Sequence, residues 1–422
     1  MKEKLEGEGQ TDRTDVAIIG GGAAGFFAAI ACAAANPELK VAVYEKSSAF
    51  LSKVRISGGG RCNVTHRPLE TRDFAARYPR GERSLLSLLH RFAPRDTLEW
   101  FEARGVRLKT EADGRVFPTT DSSQTIIDCL VDSARGAGVS LHAHHEARAL
   151  ERIQGGGFRV RFVSGKETVT RKLLLATGGV RSTSAAALAE SSGHSLNDCV
   201  PSLFTLHLQE SWLKQIAGTS VADAIISVPG MSLKERGPIL ATHWGLSGPA
   251  VLRLSAWGAR KLHAVNYCFP ACIQWLPNTS PEALEAAWKD RRERMGARTV
   301  MNCPLSPLPA RLWEQLAIQA GFGRDDRWSK APRGLLSRLT EQVLNSRITV
   351  MGKSLNKEEF VTCGGIQLDQ INLRRMESRL VPGLHFAGEL IDIDGITGGF
   401  NFQAAWTTGW IAGQSMAEEA HP

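Results

Sequence analysis

At 422 residues the chain is longer than one compact core usually accommodates, so two or three domains are expected. Apolar residues at 43% and charged residues at 22% place it among ordinary soluble globular proteins, and no apolar run approaches the roughly 18 residues that a membrane-spanning helix needs. The formal charge of +8 is unevenly spread: residues 51–110 hold 13 Lys/Arg against 6 Asp/Glu, a face for a polyanion or simply for solvent.

Residues 1–14 are polar and mixed in charge, without the apolar segment of a signal peptide, so a disordered tail is expected there. Residues 15–19 then read as a short buried strand, 23 to about 36 as an Ala-rich helix stopped by Pro37, and 40–44 as a second buried strand. This βαβ unit carries Gly20-x-Gly22-x-x-Gly25, with Glu45 a further 20 residues on. Each part has a physical task. Gly20 makes the tight turn, Gly22 admits a diphosphate against the backbone, Gly25 lets helix and strand close up, and Glu45 accepts from ribose hydroxyls. The unpaired N–H groups at the helix start add partial positive charge for the phosphates.

Beyond Glu45, residues 47–65 read as a loop, because Gly58, Gly59 and Gly60 in succession exclude a regular helix or strand. A helix is expected over about 84–104, a hairpin over 108–118, a helix over 121–136, a strand at 139–144 and a hairpin over 147–163. The apolar strand that follows ends in Ala176-Thr177-Gly178-Gly179. From about 193 to 248, short alternating runs predict antiparallel β-structure. Residues 281–295 and 309–320 are helical, with Trp288 and Trp313 at core positions. The expected fold class is α/β. A Rossmann-like nucleotide domain (parallel sheet, helices and a β-meander) spans 15–190 and 366–422. It is interrupted by a β-rich, barrel-like domain at 191–280 with a return through 346–365, and by a small helical domain at 281–345. Eight scattered cysteines make no disulfide framework, and with no export signal a cytoplasmic location is expected.

The second informative stretch lies near the C-terminus. A strand at 384–387 ends in Gly388-Glu389, and a turn containing Gly395, Gly398 and Gly399 leads into a helix near Asn401. An acid at a strand's carboxyl end can bind a ribitol hydroxyl. The helix N-terminus beyond it stabilises the negative charge that a reduced isoalloxazine develops. The two ends of the chain therefore suffice for one flavin adenine dinucleotide (FAD). No metal site is expected. His142, His144 and His145 lack a suitably spaced Cys or carboxylate, reading instead as a solvated strand face, and Cys268 and Cys272 have no second ligand pair.

Several motifs carry a resemblance: IIGGGAAG with YEK (18–25, 44–46), ISGGGRCNVT (56–65), GRVFP (114–118), LLATGG (174–179), THWGLSGPAVLRLS (242–255), VTCGGI (361–366) and GLHFAGELIDIDGITGGFNFQAAWTTG (383–409). The chain resembles the BaiN-like (YhiN-like) flavoproteins, within the FAD enzymes of two-dinucleotide-binding-domain ancestry. The resemblance implies tight, non-covalent FAD held by Gly20, Gly22, Ala24, Gly25, Glu45, Lys46, Arg61, Cys62, Asn63, Gly178, Glu389, Asn401 and Gln403. The adjoining Gly59, Gly60, Thr177, Gly388, Thr397, Gly398, Gly399 and Phe402 complete the candidate set. The segment 180–194 is shorter and richer in Ala than in many members, so substrate reach is expected to differ here.

The resemblance further implies a flavin-dependent oxidoreductase that passes a hydride between flavin N5 and an unsaturated C=C or C=N substrate, with NAD(P)H as reductant. Without a second dinucleotide fingerprint, NAD(P)H would dock directly against the ring. Members are associated with reducing conjugated C=C bonds in steroid-like acids, with reducing a uridine of ribosomal RNA to dihydrouridine, and with amine oxidation. The partner is accordingly a small molecule or ribosomal RNA. The basic 51–110 region and residues 281–347, with 12 Lys/Arg against 8 Asp/Glu, favour RNA. A flavin-holding protein without turnover is the non-enzymatic alternative. Two residues are candidate proton donors: Cys62, whose neighbour Arg61 would lower its pKa, and His243 in the THWGLSGP motif.

Overall fold

Four short, almost wholly apolar runs, 16–19, 41–44, 173–175 and 384–386, are each no more than 4% exposed. Strands that read as continuous apolar runs are buried on both faces, which is the condition of a parallel sheet. In the computed structural model, which describes residues 12–179, 183–354 and 361–418, these runs lie side by side. The strands are β1 (Asp12–Ile19), β2 (Val41–Tyr44), β3 (Ser140–His142), β4 (Glu167–Leu175) and β5 (Leu384–Phe386). Their order across the sheet is β5–β4–β1–β2–β3, every pair parallel. An antiparallel hairpin, Ala147–Arg152 with Phe158–Phe162, is added along the first half of β4. The fold is the expected Rossmann-type α/β sheet with a β-meander.

The first helix, α1 (Ala23–Ala35), is buried for most of its length, and the last, α2 (Phe400–Ala417), crosses it. Glycines set how closely they approach: a Cβ on Gly409 would stand 2.4 Å from Ala24 O, and one on Gly413 2.3 Å from Ala28 O. The two ends of the sequence thus share one core. Together they form the first of two compact units, extending to Val200 and resuming at Val361.

Some local expectations need correction. Strand β1 begins at Asp12, so residues 12–14 belong to the sheet rather than to a tail; the long β4 supplies them with partners, Asp12↔Thr168 to Thr14↔Thr170. Residues 1–11 lie outside the described residues. The helix expected over 84–104 is two, Glu82–Leu89 and Pro94–Glu102. Pro94 cannot continue a helix but suits a first turn, and Asp96 accepts from Ala93 N (2.6 Å) to cap the second helix. The chain is also helical from Ser52, because nothing in SKVRI breaks a helix; regular geometry is lost at Ser57, Gly58 and Gly59. His142 and His145 do not form a solvated face. His142 stacks on the buried Tyr44 ring at 4.8 Å, and His145 packs at 5.8 Å.

The second unit runs from Pro201 to Phe360. Six antiparallel strands close into a barrel in the order Thr205–Leu208, Gly245–Ser247, Leu233–Ala241, Ser220–Val228, Phe269–Gln274, Ser346–Ser354. Helices Pro281–Arg294, Ala310–Ala320 and Arg333–Leu344 are inserted between the last two strands. Trp288, Trp313 and Trp328 are buried with ring centroids 5.6–6.5 Å apart, and this cluster is continuous with the barrel interior. The helical segment is therefore part of the barrel's core. The units divide near 200 and 361 rather than at 190 and 365.

Candidate flavin site

Four loops leave the carboxyl ends of adjacent strands β5, β4, β1 and β2, and each carries candidate residues: Gly388 and Glu389, then Thr177 and Gly178, then 20–25, then Glu45 and Lys46. In open α/β sheets this edge is where ligands bind. The strands are locked to one another right up to the loops, with Ala176 N donating to Ile19 O (2.8 Å) and Ala387 N to Leu175 O (3.2 Å).

The glycines of the first turn divide into two kinds. Gly20 has φ +115, and a Cβ there would stand 2.3 Å from Ala176 O; on Gly25 it would stand 2.0 Å from Gly20 O. Both are required by close packing of strand and helix. Gly22 is different, because a Cβ there meets nothing within 4 Å. It is the N-cap of α1, whose first turn holds no acid. No side chain caps the N–H groups at this helix start. Ala24 is buried on α1, against α2 and Gly388. Glu45 is fixed by three donors, Gly21 N (2.8 Å), Ser47 N (2.9 Å) and Ser47 Oγ (2.7 Å), and Lys46 is exposed beside it. Thr177 Oγ1 is buried and without a hydrogen-bond partner among the described residues, and Gly178 follows in the left-handed region at φ +77.

Gly58, Gly59 and Gly60 also have positive φ (+58, +68 and +83) and are exposed, and a Cβ on Gly59 or Gly60 would meet nothing. Beyond them the GRCN residues turn inward. Arg61 lies over the Phe117 ring at 4.0 Å and pairs with Glu111 (2.7 Å) and Asp121 (3.6 Å). Cys62 is wholly buried at φ +61, and burial pushes its thiol up to about 12. The expected lowering by Arg61 is reversed, because that guanidinium is engaged by carboxylates while the thiol sits in the core. Asn63, with its amide turned to satisfy its neighbours, accepts from Gly399 N and donates to Thr65 O, both at 2.9 Å. It ties this loop to the start of α2.

At the C-terminal end, Gly388 (φ +74) donates from its N to Thr408 Oγ1 at 2.9 Å. Glu389 accepts from Thr362 N (2.8 Å) and Lys53 Nζ (2.5 Å). Thr397 and Gly398 lead to Gly399, the N-cap of α2 at φ +93, where a Cβ would stand 2.4 Å from the Thr65 carbonyl carbon. Asn401 closes the preceding turn, accepting from Gly395 N (2.8 Å) and donating to Gly395 O (2.9 Å). Phe402 stacks on Trp406 at 5.6 Å. Gln403 is fully buried: its Oε1 accepts from Thr65 and Thr97 (2.7 and 2.9 Å) and its Nε2 donates to Thr407 (3.1 Å). Its amide holds the core together.

His243 lies in the other unit, exposed on the connection between strands Leu233–Ala241 and Gly245–Ser247. Cys268 and Cys272 are both free thiols. Cys363 is buried in strand Val361–Ile366. Helix Thr183–Ser191 follows the Thr177–Gly178 turn, and residues 180–182 of the shortened segment lie outside the described residues.

The model of the HI0933-like protein Rossmann domain family matches residues 14–415 of this sequence. The chain belongs to that family. Its HI0933-like relatives include the ribosomal RNA dihydrouridine synthase of Escherichia coli, 31% identical, with 96% of this chain and 98% of the relative aligned. The 3-dehydro-bile acid delta(4,6)-reductase of Clostridium scindens is 26% identical, with 96% and 99% aligned. Among solved structures, the 3-ketosteroid-delta4-(5alpha)-dehydrogenase of Rhodococcus jostii superposes with a TM-score of 0.52 at 15% identity, 98% of each chain being covered. E. coli quinol fumarate reductase FrdA gives 0.51 at 15%, covering 97% of this chain and 70% of that one. Flavin adenine dinucleotide is the cofactor that the two ends of the sequence lead one to expect.

The residues present fit such a cofactor. An uncapped helix start, open backbone at Gly22 and Gly178, a buried Thr177 hydroxyl lacking a partner among the described residues and a fixed carboxylate at Glu45 supply the donors and acceptors that a dinucleotide needs. Sequence reasoning missed Lys53, Thr362 and Thr408, which position Glu389 and Gly388. Lys53 stood inside the basic 51–110 stretch but had no motif to single it out.

Proposed function

We propose that this chain reduces a conjugated C=C bond and that its substrate is a uridine of ribosomal RNA, with NAD(P)H as the source of electrons. The observation that carries the reading is the gathering of four nucleotide-type loops on one sheet edge. When bound, FAD supplies the hydride at N5. The chain's residues bind and orient it. The α1 N-terminus and Gly22 receive the diphosphate, and Glu45 the adenosine ribose. Thr177, Gly178 and Glu389 face the middle of the cofactor, and the 397–399 turn with the α2 N-terminus takes the flavin's pyrimidine edge.

A hydride added to one carbon needs a proton on its neighbour. Of the two expected donors, Cys62 is a fully buried thiol that does not exchange its proton with solvent, whereas the His243 imidazole is exposed. RNA is favoured by two relatives called ribosomal RNA dihydrouridine synthase, 31% and 28% identical, and by charge: residues 201–360 hold 20 Lys/Arg against 13 Asp/Glu. The Clostridium relative supports a second reading, a conjugated small acid.

The two readings separate in one anaerobic experiment. Enzyme reduced with NADPH is mixed with protein-free ribosomal RNA or with a conjugated steroid acid, and the flavin absorbance is followed. Reoxidation by RNA, with a 2 Da gain on a uridine nucleotide after digestion, is the expected result. Reoxidation only by the acid replaces the substrate, and reoxidation by neither overturns the reductase reading.

A further inference from the structure

The outward face of the barrel carries features that flavin chemistry leaves unused. Along Thr205–Leu208, Leu206 and Leu208 fill the core, so His207 and then Gln209 face outward, about 7 Å apart at strand spacing. The neighbouring strand repeats the pattern: Ile348 and Val350 lie inside, and Arg347, Thr349 and Met351 outside. The two are joined by Gln209 N donating to Thr349 O (3.0 Å) and Thr349 N to Glu210 Oε1 (2.7 Å). Over His207 lies Trp244, with ring centroids 5.8 Å apart and planes 17° from parallel, yet the indole residue is 64% exposed. Its turn is fixed. Trp244 O accepts from Leu208 N (3.1 Å), and Thr242 Oγ1 accepts from the backbone N of Trp244 and Gly245.

On this face opens a polar cleft of about 470 Å³, lined by Gln209, Glu210, Gln319, Gln342, Arg347 and Thr349. Its volume is that of a small-ligand site. Within it Glu210 Oε2 is buried and has no hydrogen-bond partner among the described residues. A carboxylate oxygen withdrawn from water without a donor is costly, so a ligand that completes this site brings an N–H group.

We infer that this face grips an unpaired stretch of the substrate RNA, one base stacking on Trp244 and another base presenting its amino group to Glu210 Oε2. The inference rests on the RNA reading. Single strands are held by stacking on aromatic rings and by hydrogen bonds to exposed base edges. Gln209, Gln319 and Gln342 can each donate and accept around such an edge, and Arg347 can meet a phosphate. Adenine, cytosine and guanine carry an exocyclic amino group, whereas uracil offers only its ring N3–H, set between two carbonyl oxygens that a carboxylate repels.

Binding of labelled eight-nucleotide A, C and U homopolymers to full-length, FAD-loaded protein tests this by fluorescence anisotropy. The A and C strands contain nothing to reduce, so binding is separated from turnover. They are expected to bind at least tenfold tighter than U. Glu210→Gln should abolish the preference, because its oxygen stays on Thr349 N and its NH2 replaces the acceptor. Trp244→Ala should weaken all three strands about tenfold, with Trp244→Phe intermediate, and thermal melts check that each variant folds. Equal affinity for A and U, or a Glu210→Gln protein that keeps the preference, overturns the inference. So does Glu210→Gln weakening NADPH binding while RNA binding is unchanged, which assigns the cleft to a soluble dinucleotide. Failure of the reductase reading would show instead as Glu210-dependent binding without flavin reoxidation.

Discussion

Gly22 and Gly25 stand three residues apart and respond differently to one added methyl group. At Gly25 the methyl meets Gly20 O at 2.0 Å, so Gly25→Ala should destabilise the chain by roughly 1–3 kcal/mol in urea unfolding. At Gly22 it meets nothing, and φ is −94, which any residue adopts. Gly22→Ala should therefore leave the melting temperature of the FAD-free protein unchanged while weakening FAD binding at least tenfold; unchanged FAD affinity would remove the diphosphate from this turn. The sequence spacing announced this turn, because the demand on Gly25 comes from Gly20, five residues earlier in the chain. Adjacency misled about Cys62, whose thiol is governed by burial rather than by Arg61. Iodoacetamide at pH 8 should label exposed Cys268 and spare Cys62 until the protein unfolds. Early labelling of Cys62 would contradict the burial.

At the scale of elements, the crossing of α1 and α2 joins the two ends of the sequence. Gly413→Val would push a branched side chain against Ala28 O, and a loss on the order of 3 kcal/mol is expected in denaturant unfolding; an unchanged midpoint would refute the close crossing. Strand β5 adds a pH dependence. His385 is 1% exposed, and burial lowers its pKa to about 4, against the opposing pull of Glu377 and the Gly383 carbonyl and with help from Lys172 and Arg375. An imidazole that titrates near 4 folded and ~6.5 unfolded binds fewer protons in the folded state. Its contribution is complete above about 6.5 and is lost as pH falls toward 4. The melting temperature should drop over that window, and His385→Gln should flatten the drop. The apolar run around His385 made the strand legible. The split at Pro94 and the helical turn at Ser52 were not read from the periodicity, since helical spacing continues across one break and a glycine run hid the other.

For the whole molecule, the return of α/β sequence after a different middle was enough to foresee an interrupted nucleotide domain. The barrel-like middle was expected, but its strand order and its shared core with the inserted helices were not legible, because which strands pair depends on contacts far apart in sequence. Charge belongs to this scale too. The Pro201–Phe360 unit holds nearly all of the net charge, with 20 Lys/Arg against 13 Asp/Glu, so affinity for RNA should fall steeply as salt rises. Salt-independent binding would argue against phosphate contacts. That the chain's two ends build one flavin site is tested most directly by the FAD bound per chain after reconstitution and gel filtration. One FAD per chain, with a flavin absorbance band and release on unfolding, is the predicted result. A colourless protein that takes up no FAD would contradict the account.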